Sequence, residues 1–192
     1  MITEADTCRK YVLPRLVTAG WDTDPHSFTE QKTFTDGRIV VAGRKVSRRA
    51  QKRADYLLRY TRDFMIAVVE SKPAYRHPAD GLQQAKEYAQ ILGLPFAYAT
   101  NGHGIVEFDF LTGKERSLDS FPTPAELWNR YRARHSIDDS AAKKLVTPYH
   151  QIVAKAPRYY QEIAINRTVQ ALGRSGKALG DHCWALGTRD QL

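Results

Sequence analysis

The sequence predicts an α/β protein: a mixed central β-sheet with helices packed against it. Three observations carry that expectation. Two runs rich in aliphatic and β-branched residues, Ala54–Leu58 and Ile66–Ser71, lie either side of a tight turn around Thr61-Arg62-Asp63 and read as paired strands. Residues 78–92 set Leu82, Ala85, Ala89 and Leu92 at helical spacing, and beyond the breaker Gly93-Leu94-Pro95 comes another strand, Phe96–Thr100. Asp36-Gly37 between the alternating runs Phe28–Phe34 and Ile39–Ala42 is a strong hairpin signal.

In chain order, Thr3 is placed to cap a first helix, with Glu4 and Asp6 in the turn where the helix dipole favours acids. Tyr11, Val12, Leu16 and Ala19 continue its apolar stripe to Gly20, with a kink expected at Pro14. The 28–42 hairpin and the 54–71 pair follow, then the helix over 78–92. Asn101-Gly102-His103-Gly104 reads as a tight turn, Ile105–Phe110 as a strand, and Leu111-Thr112-Gly113 as the next turn. Pro124 opens a further helix, Ala125–Arg134. Residues 1–134 are expected to form one domain. Residues 135–157, with Asp138-Asp139-Ser140 and two prolines, read as a linker to a separate stretch, 158–192.

A chain of 192 residues holds one good-sized domain plus an appendage, and a 42% hydrophobic composition suffices for a core. No apolar run approaches a membrane span, and no basic-then-apolar leader opens the chain, so no membrane role is expected. Cys8 and Cys183 sit in dissimilar surroundings, which argues against a disulfide framework and for a reducing cytoplasm. The histidines are scattered without zinc-ligand spacing. A net charge of +8 favours a polyanionic partner.

The chemistry centres on the strand pair. Side chains alternate along a strand, so Glu70 and Lys72 leave one face, and a hairpin brings Asp55 beside them. Converging carboxylates resist joint ionisation unless a cation lies between them, and Mg²⁺ suits hard oxygen ligands. The amine adds a donor for a water or a phosphate. Read blandly, Glu70 and Lys72 form an ordinary ion pair at a strand end. Glu4 is either a surface acid serving the helix dipole or a further ligand reaching the same site. The run 44–53, with Lys45, Arg48, Arg49, Lys52 and Arg53, is either a solvated loop or a patch tracking a nucleic-acid backbone toward Asp55. It carries no interleaved aromatics for stacking single-stranded bases, so duplex backbone is the better partner. Gln84 and Tyr88, one helical turn apart, by themselves only flank a core stripe.

Taken together, the early Glu4, Asp55, Glu70-x-Lys72, Gln84-x-x-x-Tyr88 and Phe96-Ala97-Tyr98-Ala99-Thr100-Asn101-Gly102 resemble the N-terminal nuclease domain of the restriction (R) subunit of type I restriction enzymes. That domain is a PD-(D/E)xK nuclease with a Gln-x-x-x-Tyr extension, and the resemblance spans about residues 1–134. One departure is visible: Ala54 stands where the superfamily name has proline. The resemblance implies a restriction-endonuclease-like fold and Mg²⁺-dependent hydrolysis of double-stranded DNA, with Mn²⁺ as a substitute. It implies Asp55, Glu70 and the Ser71 backbone carbonyl as metal ligands, Lys72 as the catalytic amine, and Gln84 and Tyr88 as accessory residues. It also implies methyltransferase and specificity subunits as partners. Pro157–Arg167 resembles the segment that opens the same subunit's helicase-like motor, where Gln161 matches a glutamine that reads the adenine of ATP. The phosphate-binding loop expected next does not follow: Gly173 to Lys177 lacks its spacing and its Ser/Thr. ATP would therefore serve only a full-length subunit, and the chain reads as a fragment ending just before the motor. The rival reading is a non-catalytic DNA-binding or subunit-docking module on a nuclease fold; a nuclease acting on RNA is a further one.

Overall fold

The computed structural model describes residues 3–34, 51–147, the backbone of 39–42 and 45–48, and Gln161, Ala164, Ile165, Arg167 and Thr168. The chain opens with α1 (Glu4–Thr7), a π-helical turn (Cys8–Val12) and α2 (Leu13–Thr18) in direct succession. Thr3 and Asp6 form a reciprocal capping box, each side chain accepting from the other's backbone N–H. Where a kink was expected at Pro14, the structure has the π turn just before it, with the Leu13 N–H bonded back to the Cys8 carbonyl. Proline has no N–H to complete an α-helical ladder, and a π segment absorbs that mismatch within a continuous helix.

Six strands form the main sheet in the order β1 (Ser27–Phe34), β4 (Lys52–Thr61), β5 (Phe64–Ser71), β6 (Phe96–Thr100), β7 (Ile105–Asp109) and β8 (Lys114–Leu118). All neighbours are antiparallel except β5 and β6. A parallel pair needs a crossover, here a 3₁₀ turn (Pro78–Gly81) and α3 (Leu82–Leu92). β5 is buried at every position, as expected of a strand covered on both faces. The expected pairing of 28–34 with 39–42 does not occur. β1 pairs with β4, and β2 (Ile39–Ala42) pairs with β3 (Lys45–Arg48) in a separate two-stranded ribbon inserted between them. Asp-Gly favours a turn, but the long ladder with β4 buries Phe34 and covers Ala54, which a local hairpin would leave exposed.

Two cores sandwich the sheet. On one face the N-terminal helix and α4 (Pro124–His135) enclose Leu16, Trp21, Tyr98, Leu127 and Trp128. On the other, Ala85, Ala89 and Leu92 of α3 lie on Leu57, Val68 and Ala97. Full burial of a Leu or Val stabilises by roughly 1.5–3 kcal/mol, so these faces dominate the fold. The expected linker begins instead with α5 (Asp139–Val146), capped by Asp138 accepting from the Ala141 N–H at 2.7 Å. Ala142 and Leu145 join the first core. Residues 148–157 lie outside the described residues. No described helix is long and apolar enough to cross a membrane.

The Asn101–Gly104 turn locks the N-terminal helix to the end of the sheet. Arg15 donates to the carbonyls of Gly102 and His103 at 3.0 and 2.8 Å. Gly102 sits at φ +87°, and a Cβ there would stand 2.6 Å from that of Tyr11. Gly102→Ala is expected to cost about 2–4 kcal/mol, from left-handed backbone strain plus overpacking. Urea unfolding measures it; a loss below about 1 kcal/mol would show the helix free to move aside.

Candidate active site

In the β4–β5 ladder Tyr56 faces Val69 and Leu57 faces Val68, so one step further sets Asp55 across from Glu70. The N-terminal helix delivers Glu4 to the same point. Carboxylate oxygens of Glu4, Asp55 and Glu70 all lie within 4.8 Å of one another. Two oxygens on one Mg²⁺, at about 2.0–2.1 Å each, stand at most about 4.2 Å apart, so a small inward movement would close the set. Asp55 is held at both oxygens: Oδ1 accepts from Gln31 Nε2 at 3.0 Å and Oδ2 from the Ser71 amide at 2.8 Å. Glu70 is 2% exposed, and its Oε2 has no hydrogen-bond partner among the described residues. A buried carboxylate oxygen without a donor suits a hard cation, and the residues present fit Mg²⁺ or Mn²⁺.

Burial, reinforced by the neighbouring Asp55, pushes the Glu70 carboxyl up to about 9, while Lys72 pulls the other way. Glu4 is raised too, by its partial burial and then by Asp55. Between the ordinary value of 4.5 and about 9, Glu70 is ionised in the unfolded chain but protonated in the metal-free fold. The fold therefore binds the extra proton, and stability falls as pH rises through that window. Glu70→Gln is expected to remove this slope and raise the metal-free Tm at pH 8 by roughly 5 °C. Added Mg²⁺ should stabilise the parent chain alone. Parallel Tm-versus-pH slopes for the two proteins would refute this.

Lys72 leaves the end of β5 beside the acids. Its Nζ donates to Gln84 Oε1 at 2.9 Å, and Gln84 Nε2 donates to Tyr88 Oη at 2.9 Å. The helical i, i+4 spacing thus builds a relay that holds the amine. Tyr88 is itself fixed by an edge contact from Phe34, with centroids 5.1 Å apart. Gly81 makes room: a Cβ there would press on Lys72 Cε at 3.3 Å.

The basic residues divide. Arg53 is exposed and lines an open polar hollow of about 710 Å³ with Glu4, Gln31 and Asp55. Lys52, expected to contact phosphate, pairs with Glu87 at 2.5 Å and lies 5.5 Å from the centre of the Tyr88 ring. Lys45 and Arg48 ride on β3, and Arg49 lies outside the described residues. Gln161 is itself helical and exposed. Sequence reasoning missed Gln31, the Ser71 amide and Gly81. A glycine opening a helix was a faint signal for the last; the first two left none.

Fold and site together define a restriction-endonuclease-like α/β domain with an acid, acid-x-lysine centre. The chain is 36% identical over 178 residues to the type I restriction enzyme EcoAI endonuclease subunit of Escherichia coli, an alignment taking in 89% of this chain and 22% of that subunit. It is also similar to the fragment structure of an HsdR subunit of a type I restriction enzyme from Vibrio vulnificus YJ016, with 57% identity and a TM-score of 0.79. That match covers 91% of this chain and 33% of the other. No family model matches the chain. Over most of its length the chain is thus similar to the endonuclease (R) subunits of type I restriction enzymes. It spans only the stated 22% of the curated relative's length.

Proposed function

We propose that this domain hydrolyses phosphodiester bonds of double-stranded DNA, using Mg²⁺ (or Mn²⁺) held by Asp55, Glu70, the Ser71 carbonyl and Glu4. The observation that carries the reading is the convergence of the three carboxylates, one with a buried unpartnered oxygen, at the strand end that bears Lys72. When bound, the cation supplies a lowered pKa for water and offsets charge on the phosphate in flight. Asp55, fixed at both oxygens, sets the geometry. Lys72, anchored by Gln84, presents its remaining N–H groups to the attacking water or to a phosphate oxygen. The water's oxygen adds to phosphorus, the P–O bond to the departing strand end breaks, and the proton given up by the water is matched by one taken up from solvent on the departing oxygen.

Arg53 lines the hollow, and we assign contact with the duplex backbone to it together with Lys45, Arg48 and Arg49 of the basic run. Lys52 joins them by releasing its exposed partner Glu87. In the whole subunit we assign choice of the DNA site to methyltransferase and specificity subunits, and ATP-driven translocation to a motor that includes Gln161. A cytoplasmic site of action follows from that role. Nicking of supercoiled plasmid by this chain in Mg²⁺, stopped by EDTA, tests the reading. Salt-sensitive duplex binding with neither cation uptake nor nicking would favour the docking module instead. Equal cleavage of matched RNA duplex would favour the RNA reading.

A further inference from the structure

We infer that Gln31 is a positioning residue for Asp55, and that the chain accepts a strained backbone at mid-strand to place it. Gln31 has φ +52°, a left-handed conformation unusual for a residue with a long side chain. No turn or inserted residue explains it. Glu30 pairs with Tyr56 and Lys32 with Ala54, so the β1–β4 register is the same on both sides of the kink. A bulge would shift that register. What the kink accompanies is one contact: Gln31 Nε2 donating to Asp55 Oδ1 at 3.0 Å across the ladder. Non-glycine residues persist in such conformations where the surrounding structure over-determines them, and they cluster at functional sites.

The chemistry of the side chain fits that task. The Ser71 amide already occupies Oδ2, so the second donor determines the rotation of the whole carboxylate. A lysine or arginine in this place would neutralise Asp55 and compete with a cation. An amide orients the oxygen and leaves its charge intact. Gln31 is exposed on the hollow that holds the acids, so it acts at the entrance and carries little packing.

The inference rests on the metal reading above, and its test separates the two. Mn²⁺ binding to the chain, followed calorimetrically without DNA, is compared for the parent, Gln31→Gly, Gln31→Asn and Asp55→Asn. Glycine adopts the left-handed conformation freely, and asparagine adopts it readily but reaches one methylene less far. Both are expected to match or exceed the parent's Tm while losing about 10- to 100-fold in Mn²⁺ affinity, the range typical of groups that orient a ligand. In plasmid nicking the same variants should lower kcat and leave KM for DNA unchanged. Asp55→Asn losing Mn²⁺ while Gln31→Gly binds within twofold of the parent overturns this inference and spares the metal reading. A Gln31→Gly variant that loses affinity and stability together makes the residue merely structural and also overturns it. A parent chain that takes up no Mn²⁺ overturns both.

Discussion

Lys72→Ala is expected to slow Mg²⁺-dependent nicking of duplex DNA by roughly 10²–10³-fold, the cost of removing one preorganised donor from a charged transition state. Asp55→Ala should be at least as severe, because it removes a ligand and frees the Ser71 amide and the Gln31 side chain at once. Gln84→Ala should fall between these variants and the parent, at about 10- to 100-fold, since Lys72 stays but loses its anchor. Single-turnover cleavage measures the series, with melting temperature as control. Duplex binding should persist in Lys72→Ala and retain its salt dependence. If Lys72→Ala and Asp55→Ala nick like the parent, the cleavage belongs to other residues.

The largest stability effect is expected at Arg130. Glu107 is fully buried at the middle of β7, where it accepts from Arg130 at 2.8 and 3.0 Å, from Arg116 at 2.8 Å and from the Tyr98 hydroxyl at 2.6 Å. Arg130 also donates to Asp109 at 2.6 Å and lies over the Phe96 ring. This cluster ties α4 to β6, β7 and β8. Burial alone would raise the Glu107 carboxyl, but the bonds from Arg130, Arg116 and Tyr98 outweigh it and hold the group below its ordinary value. Its stabilisation is therefore present above the ordinary glutamate range and lost as acid takes the pH down through the folded value. Arg130→Ala leaves a buried carboxylate short of its main partner, at about 3–5 kcal/mol. For a chain of this size that lowers Tm on the order of 10 °C. Pairing Arg130→Met with Glu107→Leu should recover part of the loss, because the Glu107 carboxylate is no longer stranded, although Asp109 Oδ2 and the Tyr98 hydroxyl still lack a partner. A double variant no better than Arg130→Ala would mean that packing, and not the charge, was lost.

Much of this was legible in the linear pattern. The buried stripe of α3, the β4–β5 hairpin, and the Glu70-x-Lys72 and Gln84-x-x-x-Tyr88 spacings are local periodicities, and local periodicity is what a strand or helix converts directly into a shared face. The β1–β4 ladder was not legible, since it depends on which distant strand covers Phe34 and not on the Asp-Gly between neighbours. β8 was missed because Lys114, Glu115 and Arg116 give an exposed edge strand no apolar alternation. α5 was hidden by its acids and small residues, until Asp138 proved to be its cap. In the site, Glu4 could be named only as one of two options. Its arrival depends on the turn at Gly102, nearly a hundred residues away.

The sheet has two ends with different business. Asp55, Glu70, Lys72 and the basic ribbon all emerge where β4 begins and β5 finishes. At the opposite end, where β5 and β6 begin, lies a hollow of about 230 Å³ among Phe64, Leu94, Leu111 and Tyr131, and Arg167 reaches its wall. Arg167 thus meets the domain at the pole remote from the carboxylates. Between the two poles lies β5, buried at every position, so a disturbance at the Arg167 side would have to cross the core of the sheet to reach the carboxylates.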